Sequence, residues 1–567
     1  MSKKSVLILC ALALTASIAR AEASKWQLAE DGSWSDEAKW SHGVPTSALD
    51  AVIDVEGSPF TVTMPTAPSA ANITIGQNAI VDLTAAASRL ITADAGQVIV
   101  RDSARVNLSN AEEGWRLGVG RTEFSGNAVF DLKAGGTVYF GGHNHSLFSA
   151  VTETEIVFRD HARLTANSTA YPGCLAIVNA GKVMTTTLRY ESDQPGLLGA
   201  ATFIGWGRGG NGNKGTGRLI QSSGYLQTGG QWGLHAGLMS NLSGQSFCVT
   251  GIVQISGGAY MVRASKGSDD SNYFIGAIFG RGRCLGQAAK AVPDAYGELN
   301  ISGNGIFTNQ TGYLVFGVGN GRGVFRQTGG ELQYASGFRQ MPTILGFAGG
   351  DGEYSLSNGI ARLSNDFYVG GAPNDIAKNY TSQSQSTEDT DTTYATPATG
   401  RFVIAPNDPD LPCAIDCSST TLHVGYNGTG EVEIGEGAAV VARYVILHGA
   451  SSTLKFSLGK TGRLGKTVDG DAARSLLRAS NSNYGTITIE EGAKLVVNAH
   501  EFESTTKEAW VPLITAAKTL VGSFADENIT VTVGEGTGEI VQDRPGYANT
   551  IWFHYRRPKT GLMLLFR

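Results

Sequence analysis

Gly323-Val324-Phe325-Arg326-Gln327-Thr328-Gly329-Gly330 and Gly352-Glu353-Tyr354-Ser355-Leu356-Ser357-Asn358-Gly359 are two copies of one pattern, and the fold follows from how that pattern is read. The residues two and four after the first glycine are apolar or Gln and their neighbours are mostly polar, the alternation of a strand with one buried face. The glycines that close each copy are turn chemistry, because Gly takes φ > 0 without a Cβ clash. Moving outward, the pattern returns at Gly217, Gly251, Gly297, Gly400, Gly430 and Gly485, so that successive first glycines stand 34, 46, 26, 29, 48, 30 and 55 residues apart. Self-similarity of this kind marks stacked repeats. The short steps fit one coil of a β-solenoid; the long ones fit one coil plus an insertion, or two coils of which one is degenerate.

An apolar pair running into glycine precedes most copies: Leu117-Gly-Val-Gly120, Phe203-Ile-Gly-Trp-Gly207, Phe274-Ile-Gly276, Phe316-Gly-Val-Gly319, Ile344-Leu-Gly346, Tyr368-Val-Gly370 and His423-Val-Gly425. Each coil therefore carries at least two strands separated by glycine turns. The steps are too short for four-stranded propeller blades, and no copy has the periodicity of a crossover helix. The expected fold class is all-β, a right-handed parallel β-helix, with the hand taken from the rule for parallel crossovers. N- and C-terminal caps are expected because an open coil leaves unpaired strand edges. The expected boundaries are a signal peptide at 1–21, a Trp-rich N-terminal cap at 22–75, β-helix repeats at 76–460, and C-terminal coils with a cap at 461–567. A low-complexity loop of Ser, Thr, Gln, Asn and acidic residues fills 375–399; it lacks the apolar content to fold by itself.

Met1-Ser-Lys3-Lys4, the apolar run from Val6 to Ala16, and Ala19-Arg-Ala21 follow the charged, apolar and small-residue order of a secretory signal peptide. No later stretch has the ~20 apolar residues of a spanning helix. The net charge of −6 becomes −9 when Lys3, Lys4 and Arg20 are removed, which argues against nucleic acid or an anionic membrane as partner. Five cysteines remain after export: Cys174, Cys248, Cys284, Cys413 and Cys417. Their pairing is left open, with a loop-closing disulfide between Cys413 and Cys417 one possibility in an oxidising compartment. A metal reading of this pair needs two further ligands at suitable spacing, and the sequence nearby supplies none.

The opening stretch, with Trp26, Gly32-Ser-Trp34-Ser, Ala38-Lys-Trp40-Ser-His-Gly-Val-Pro45 and Asp50-Ala-Val-Ile53, resembles secreted bacterial proteins with autotransporter-associated β-strand repeats. The glycine-bounded copies resemble the same family, as do Trp510-Val-Pro-Leu-Ile-Thr515, Gly522-Ser-Phe524 and Gly561-Leu-Met-Leu-Leu-Phe566. The resemblance implies a passenger-like stalk, secreted or held at the cell surface, adhesive or structural rather than catalytic. The chain departs from true autotransporters in having no block of some ten alternating strands to form a membrane barrel. Any retention at a cell is expected through protein contacts of the C-terminal region, where Trp552, Phe553, Tyr555 and Leu562 to Phe566 sit beside Arg556, Arg557, Lys559 and Arg567; the alternative is that these residues are the final strand pair closing the solenoid.

No catalytic, cofactor-binding or metal-ligating residue is assigned from the sequence. Gly205-Trp-Gly207-Arg-Gly-Gly210 lacks the following helix that a dinucleotide site needs. Gly349-Gly-Asp351-Gly echoes a calcium-binding nonapeptide but occurs once, where that chemistry needs tandem copies. His143, His145, Asp160 and His161 are the nearest approach to a chemical cluster and read as surface or capping residues. Gln221, Gln254 and Gln327 recur at similar places and suggest an amide ladder along the axis. The expected function is an exported, non-catalytic structural or adhesive protein of a bacterial surface or extracellular matrix, with cell-surface proteins or polysaccharide as partners. The alternative is a polysaccharide-binding or lyase-like β-helix. For that, Asp269, Asp270, Asp294, Asp366, Asp408 and Asp410 would hold calcium, Arg281, Arg283, Arg322 and Arg339 would serve as the basic group, and Trp206, Trp232, Tyr260, Tyr273 and Tyr313 would stack on sugars.

Overall fold

The computed structural model describes residues 22–567 apart from 65–68, 85–88, 93–95, 109–114, 118–119, 133–137, 141–152, 167–173, 178–183, 200, 209–214, 230–232, 241–248, 264–275, 283–294, 311, 335–339, 374–395, 409, 505 and 559–567. The expected signal peptide lies outside these residues, as does most of the 375–399 loop. The end of that stretch is not loop: Ala398 and Thr399 open the strand Ala398–Ile404.

Each turn of the chain contributes three strands, one more than the glycine punctuation requires. Gly215–Gln221 forms the first face, Tyr225–Gly229 the second and Gly233–Ser240 the third. The next turn lays Val249–Ile255, Ala259–Arg263 and Ala277–Arg281 on them in parallel register. This is a parallel β-solenoid. Its first face runs unbroken from Ala23–Lys25 to Ile529–Val533, each strand hydrogen-bonded to the same strand one turn on, so parallel stacking already includes the Trp-rich opening. The second face is interrupted: a separate six-stranded sheet ends at Arg163–Ala166, and the pairing resumes from Pro195–Leu197.

The first glycines stand in one column. Gly217, Gly251, Gly297, Gly323, Gly352, Gly400 and Gly430 are direct cross-strand neighbours in sequence order. Every step between them is thus a single turn, and the long steps of 46 and 48 residues carry insertions rather than hidden coils. Gly485 does not belong to the column. Gly430 is followed there by Ser452, while Gly485 precedes Thr486–Ile489, a third-face strand stacked on Tyr444–Leu447.

Some of the apolar-pair glycines do lie at turns or bends, as expected: Gly319, Gly370 and Gly425 follow the strand ends at Val318, Val369 and Val424. Gly205, Gly317 and Gly346, and with them Gly237 and Gly280, lie instead inside third-face strands at φ between +66° and +76°, bending each strand so that its backbone meets the first face. A Cβ on Gly280 would lie 1.9 Å from the Arg322 carbonyl oxygen, and one on Gly352 would lie 2.2 Å from the Gly346 nitrogen. Two glycine columns are therefore pressed backbone to backbone, and this contact demands glycine more strictly than turn geometry does. The closing glycines do occupy corners as expected, with Gly224, Gly258 and Gly330 at φ +64°, +69° and +65°.

Inward side chains stack on their own kind along the axis. Phe279 and Phe316 lie 4.8 Å apart at 10°, Phe316 and Phe325 5.4 Å at 6°, and Phe325 and Tyr354 4.1 Å at 11°. The expected glutamine ladder is absent because cross-strand register places Ile255 and Ile301, not Gln254, between Gln221 and Gln327. Gln254 is exposed. Gln221 and Gln327 instead fill the corner between the first and second faces, each donating to backbone carbonyls: Gln221 to Ala259 at 3.0 Å, Gln327 to Gly330 at 3.1 Å and Ile360 at 3.0 Å. Cys413 and Cys417 are free thiols, both buried on the strand Cys413–Val424. Four residues of extended chain span about 13 Å, beyond the ~7 Å Cα reach of a disulfide. Burial raises the Cys413 thiol to about 12.

At the two ends the packing is distinct. Trp40 stands edge-on to Trp26 at 5.2 Å and to Trp34 at 4.8 Å, and all three are buried. At the other end Thr550–Arg556 runs antiparallel to both Glu508–Ala516 and Thr537–Val541. Ile551, Phe553 and Tyr555 are buried in the core.

Candidate functional site

The outward surface of the third face changes character along the axis, and this change marks the site. In its middle turns the outward side chains Ile278, Val315, Ile344 and Tyr368 are buried in an apolar cluster separate from the main core. The same column continues through His423, Ile446, Thr488 and Val521, where the side chains are only half-buried and Val521 is 47% exposed. Beyond Tyr368 the face is therefore open, with a chemically distinct rim on each side.

One rim is aromatic and imidazole. Tyr368 and His423 stack at 4.4 Å and 4°, and His423 and His448 at 5.4 Å and 10°. Tyr426, 42% exposed, stands perpendicular to all three rings. His423 Nδ1 lies 3.1 Å from His448 Nε2, and His448 Nδ1 lies 3.3 Å from a Glu490 carboxylate oxygen. Burial lowers His423 to about 4, outweighing the opposing pull of Asp366, and lowers His448 against the pull of Glu490. Both rings are neutral near pH 7. With Glu490 accepting from His448 Nδ1, the one proton between the rings belongs to His423 and is donated to His448 Nε2.

The other rim is aromatic and cationic. Arg443 Cζ lies 4.3 Å over the Tyr484 ring and 5.3 Å from that of Tyr444. Arg544 Cζ lies 4.0 Å over Trp510, 4.4 Å over Tyr547 and 4.7 Å over Trp552. The backbone ties the first of these groups into successive turns: Tyr444 neighbours Thr486, Lys518 N–H donates to the Gly485 carbonyl, and Asn549 Nδ2 donates to the Lys518 carbonyl, while Trp510 and Trp552 lie on the second-face strand Glu508–Ala516 and its antiparallel partner Thr550–Arg556.

Among the described residues, those named from the sequence do not assemble into a site. Asp160, at φ +57°, accepts from the Gly126 N–H, and His161 pairs with Asp193 at 2.8 Å on the surface. Asp366 accepts from the Thr421 N–H, and Asp408 from the N–H of Asp410. Arg322 is paired with Glu353 at 3.2 Å and Asp351 at 3.6 Å. Tyr260 and Tyr313 are buried, and Trp206 stacks on Phe203 at 4.7 Å. His143, His145, Trp232, Asp269, Asp270, Tyr273, Arg283, Asp294 and Arg339 lie outside the described residues, as do the side chains of Cys174, Cys248 and Cys284. Trp552 was singled out from the sequence as part of the C-terminal cluster, but the other rim residues were missed because their partners come from other turns. Only the unusual run His423-Val-Gly-Tyr426 signals them, an imidazole where other copies carry an apolar residue.

Among the described residues no group of three His, Cys, Asp or Glu side chains could hold a metal ion, and no helix is long and apolar enough to cross a membrane. Compared with protein families, with curated proteins and with solved structures, the chain matches none.

Proposed function

We propose that this chain is an exported structural or adhesive β-solenoid of a bacterial cell surface or extracellular matrix, a stiff rod. The observation that supports this most is the first face, whose parallel ladder is continuous from Ala23–Lys25 to Ile529–Val533. A solenoid of this kind resists bending because every turn is bonded to its neighbours on several faces, and its length scales with the number of turns at about 4.8 Å each. Its outer surface reinforces the axis. Arg121 bridges to Glu155 at 3.0 Å, Arg189 to Glu155, Arg401 to Glu431 at 3.0 Å and Glu433 at 3.2 Å, and Lys455 to Glu433 at 3.1 Å, each pair spanning neighbouring turns. Singly such pairs contribute about 0–1 kcal/mol, but here they align along the rod.

Export rests on the leader-like first 21 residues, and closure of the rod on the buried Trp26, Trp34 and Trp40 at one end and the antiparallel Thr550–Arg556 at the other. Fractionation of cells making the full chain tests the reading: the protein should be found at the surface or in the medium, shortened at its N-terminus. Uncleaved protein confined to the cytoplasm overturns it.

A further inference from the structure

We infer that the cationic rim of the open third face, from Arg443 to Arg544, is a binding site for a carboxylated polysaccharide. Arg121, Arg189, Arg326, Arg362 and Arg401 each hold a carboxylate, whereas Arg443, Lys518 and Arg544 have none within ion-pair distance among the described residues. Other surface cations such as Arg218, Arg263 and Lys494 are unpaired too, and what sets Arg443 and Arg544 apart is that aromatic rings hold them.

The two guanidinium groups are held by ring faces, Arg443 by Tyr484 and Arg544 by Trp510, Tyr547 and Trp552. Stacking fixes a guanidinium while leaving its N–H edge free, the geometry that takes a carboxylate through two parallel hydrogen bonds. Because the rings already hold the side chains, little entropy is lost when a ligand binds. Two donors at this rim, Arg443 Nε and Trp552 Nε1, are buried without an acceptor. Buried donors are ordinarily satisfied, so these are two polar groups for which the folded chain itself supplies no acceptor.

Tyr484 and Tyr547 are 47% and 49% exposed. An exposed ring of this kind accepts the apolar face of a pyranose, and an alternation of rings with fixed cations suits a sugar polymer whose residues carry carboxylates. From residue 443 through 484 and 518 to 547 the rim climbs one turn at a time, a rise on the order of 15 Å at ~4.8 Å per turn, which suits an extended chain lying along the axis. The carboxylate is the group the unpaired cations select, and the flat rings select the sugar rather than a peptide.

The experiment uses the full exported chain and measures binding to polygalacturonate and alginate, with dextran as the neutral polymer and single-stranded DNA as a different polyanion. The expected result is retention on both uronate polymers, weakening as salt is raised, and none on dextran. Arg443→Gln and Arg544→Gln should each weaken binding at least tenfold. Lys518→Gln and Tyr484→Ser, at exposed positions, should weaken it several-fold with an unchanged melting temperature, so a loss of binding is separable from a loss of fold. No uronate binding, equal retention on dextran, tighter binding to DNA, or full binding by the Lys518→Gln and Tyr484→Ser proteins would each overturn the assignment.

Discussion

Between Gly217 and Gly430 the first and third faces touch backbone to backbone, whereas in the turns on either side the same column holds side chains. Thr186 precedes Gly217 and Ser452 follows Gly430, both buried, with Ser452 Oγ donating to the Gly449 carbonyl at 2.9 Å. The third face changes over the same interval, from an outward surface buried in apolar contacts to one open along His423, Ile446 and Thr488. The comparison separates two ways of building a solenoid turn. In the middle, glycine lets the sheets close on each other and stability depends on backbone contact. Towards the C-terminal end, side chains hold the sheets and the outward surface is free for recognition.

The most severe way to break the pinched region is Gly352→Ala. The new Cβ would meet the Gly346 nitrogen at 2.2 Å and the Phe316 carbonyl oxygen at 2.4 Å, and neither backbone atom can yield without moving a strand. A loss of about 4 kcal/mol or more is expected in denaturant unfolding; a loss under about 1 kcal/mol would mean the two faces do not touch as described.

Gln327→Leu attacks the same turns through their corner. It leaves the buried Tyr354 hydroxyl, which donates to Gln327 Oε1 at 2.7 Å, without its acceptor and removes the donor from the Gly330 and Ile360 carbonyls. About 3 kcal/mol should be lost, since stranded buried polar groups forfeit their solvation. An unfolding midpoint unchanged from wild type would show that the corner tolerates an apolar filler.

At the border of the two regions the probe is pH. His423 is lowered to about 4 from an ordinary 6.5. The unfolded chain therefore binds a proton between those values that the folded one refuses, so stability is complete above pH 6.5 and declines towards pH 4. After allowance for partial exposure the decline attributable to this ring is on the order of 2 kcal/mol. His423→Phe should flatten the stability profile in that window, and an unaltered profile would assign the acid sensitivity elsewhere.

The smallest effect sharpens the contrast from the C-terminal side. Gly470 has φ +87° and nothing within 4 Å of a Cβ placed on it. Gly470→Ala should cost only the backbone strain of a left-handed residue, about 1 kcal/mol. If it matched Gly346→Ala, at φ +74°, backbone conformation rather than contact between faces would explain the third-face glycines.

The repeat was legible because a solenoid writes each turn as a local pattern: alternation in Phe325 and Tyr354, and closing glycines such as Gly330 at a corner. The meaning of the other glycines was not. Gly205 and Gly352 look like turn residues in the sequence, yet they are in strands and barred from carrying a side chain by backbone atoms of another face, Thr250 in one case and Phe316 with Gly346 in the other. Gly485 copies the pattern while sitting on another face, since a short strand bounded by glycine reads alike wherever it lies on the coil.

What the sequence by itself determined is a chain of short strands with one buried side, repeated at intervals of one turn, and an N-terminal stretch with the order of an export signal. These are local properties, set by alternation and by the freedom of glycine at corners. Only the tertiary structure decided which turns are adjacent, that each has three faces, and which charges are paired. Glu155 accepts Arg121 and Arg189 from the turns before and after it, whereas Arg443 and Arg544 find aromatic rings and, among the described residues, no carboxylate. Such partners lie along the axis, at right angles to the chain, and insertions of varying length shift them by amounts that no local pattern records.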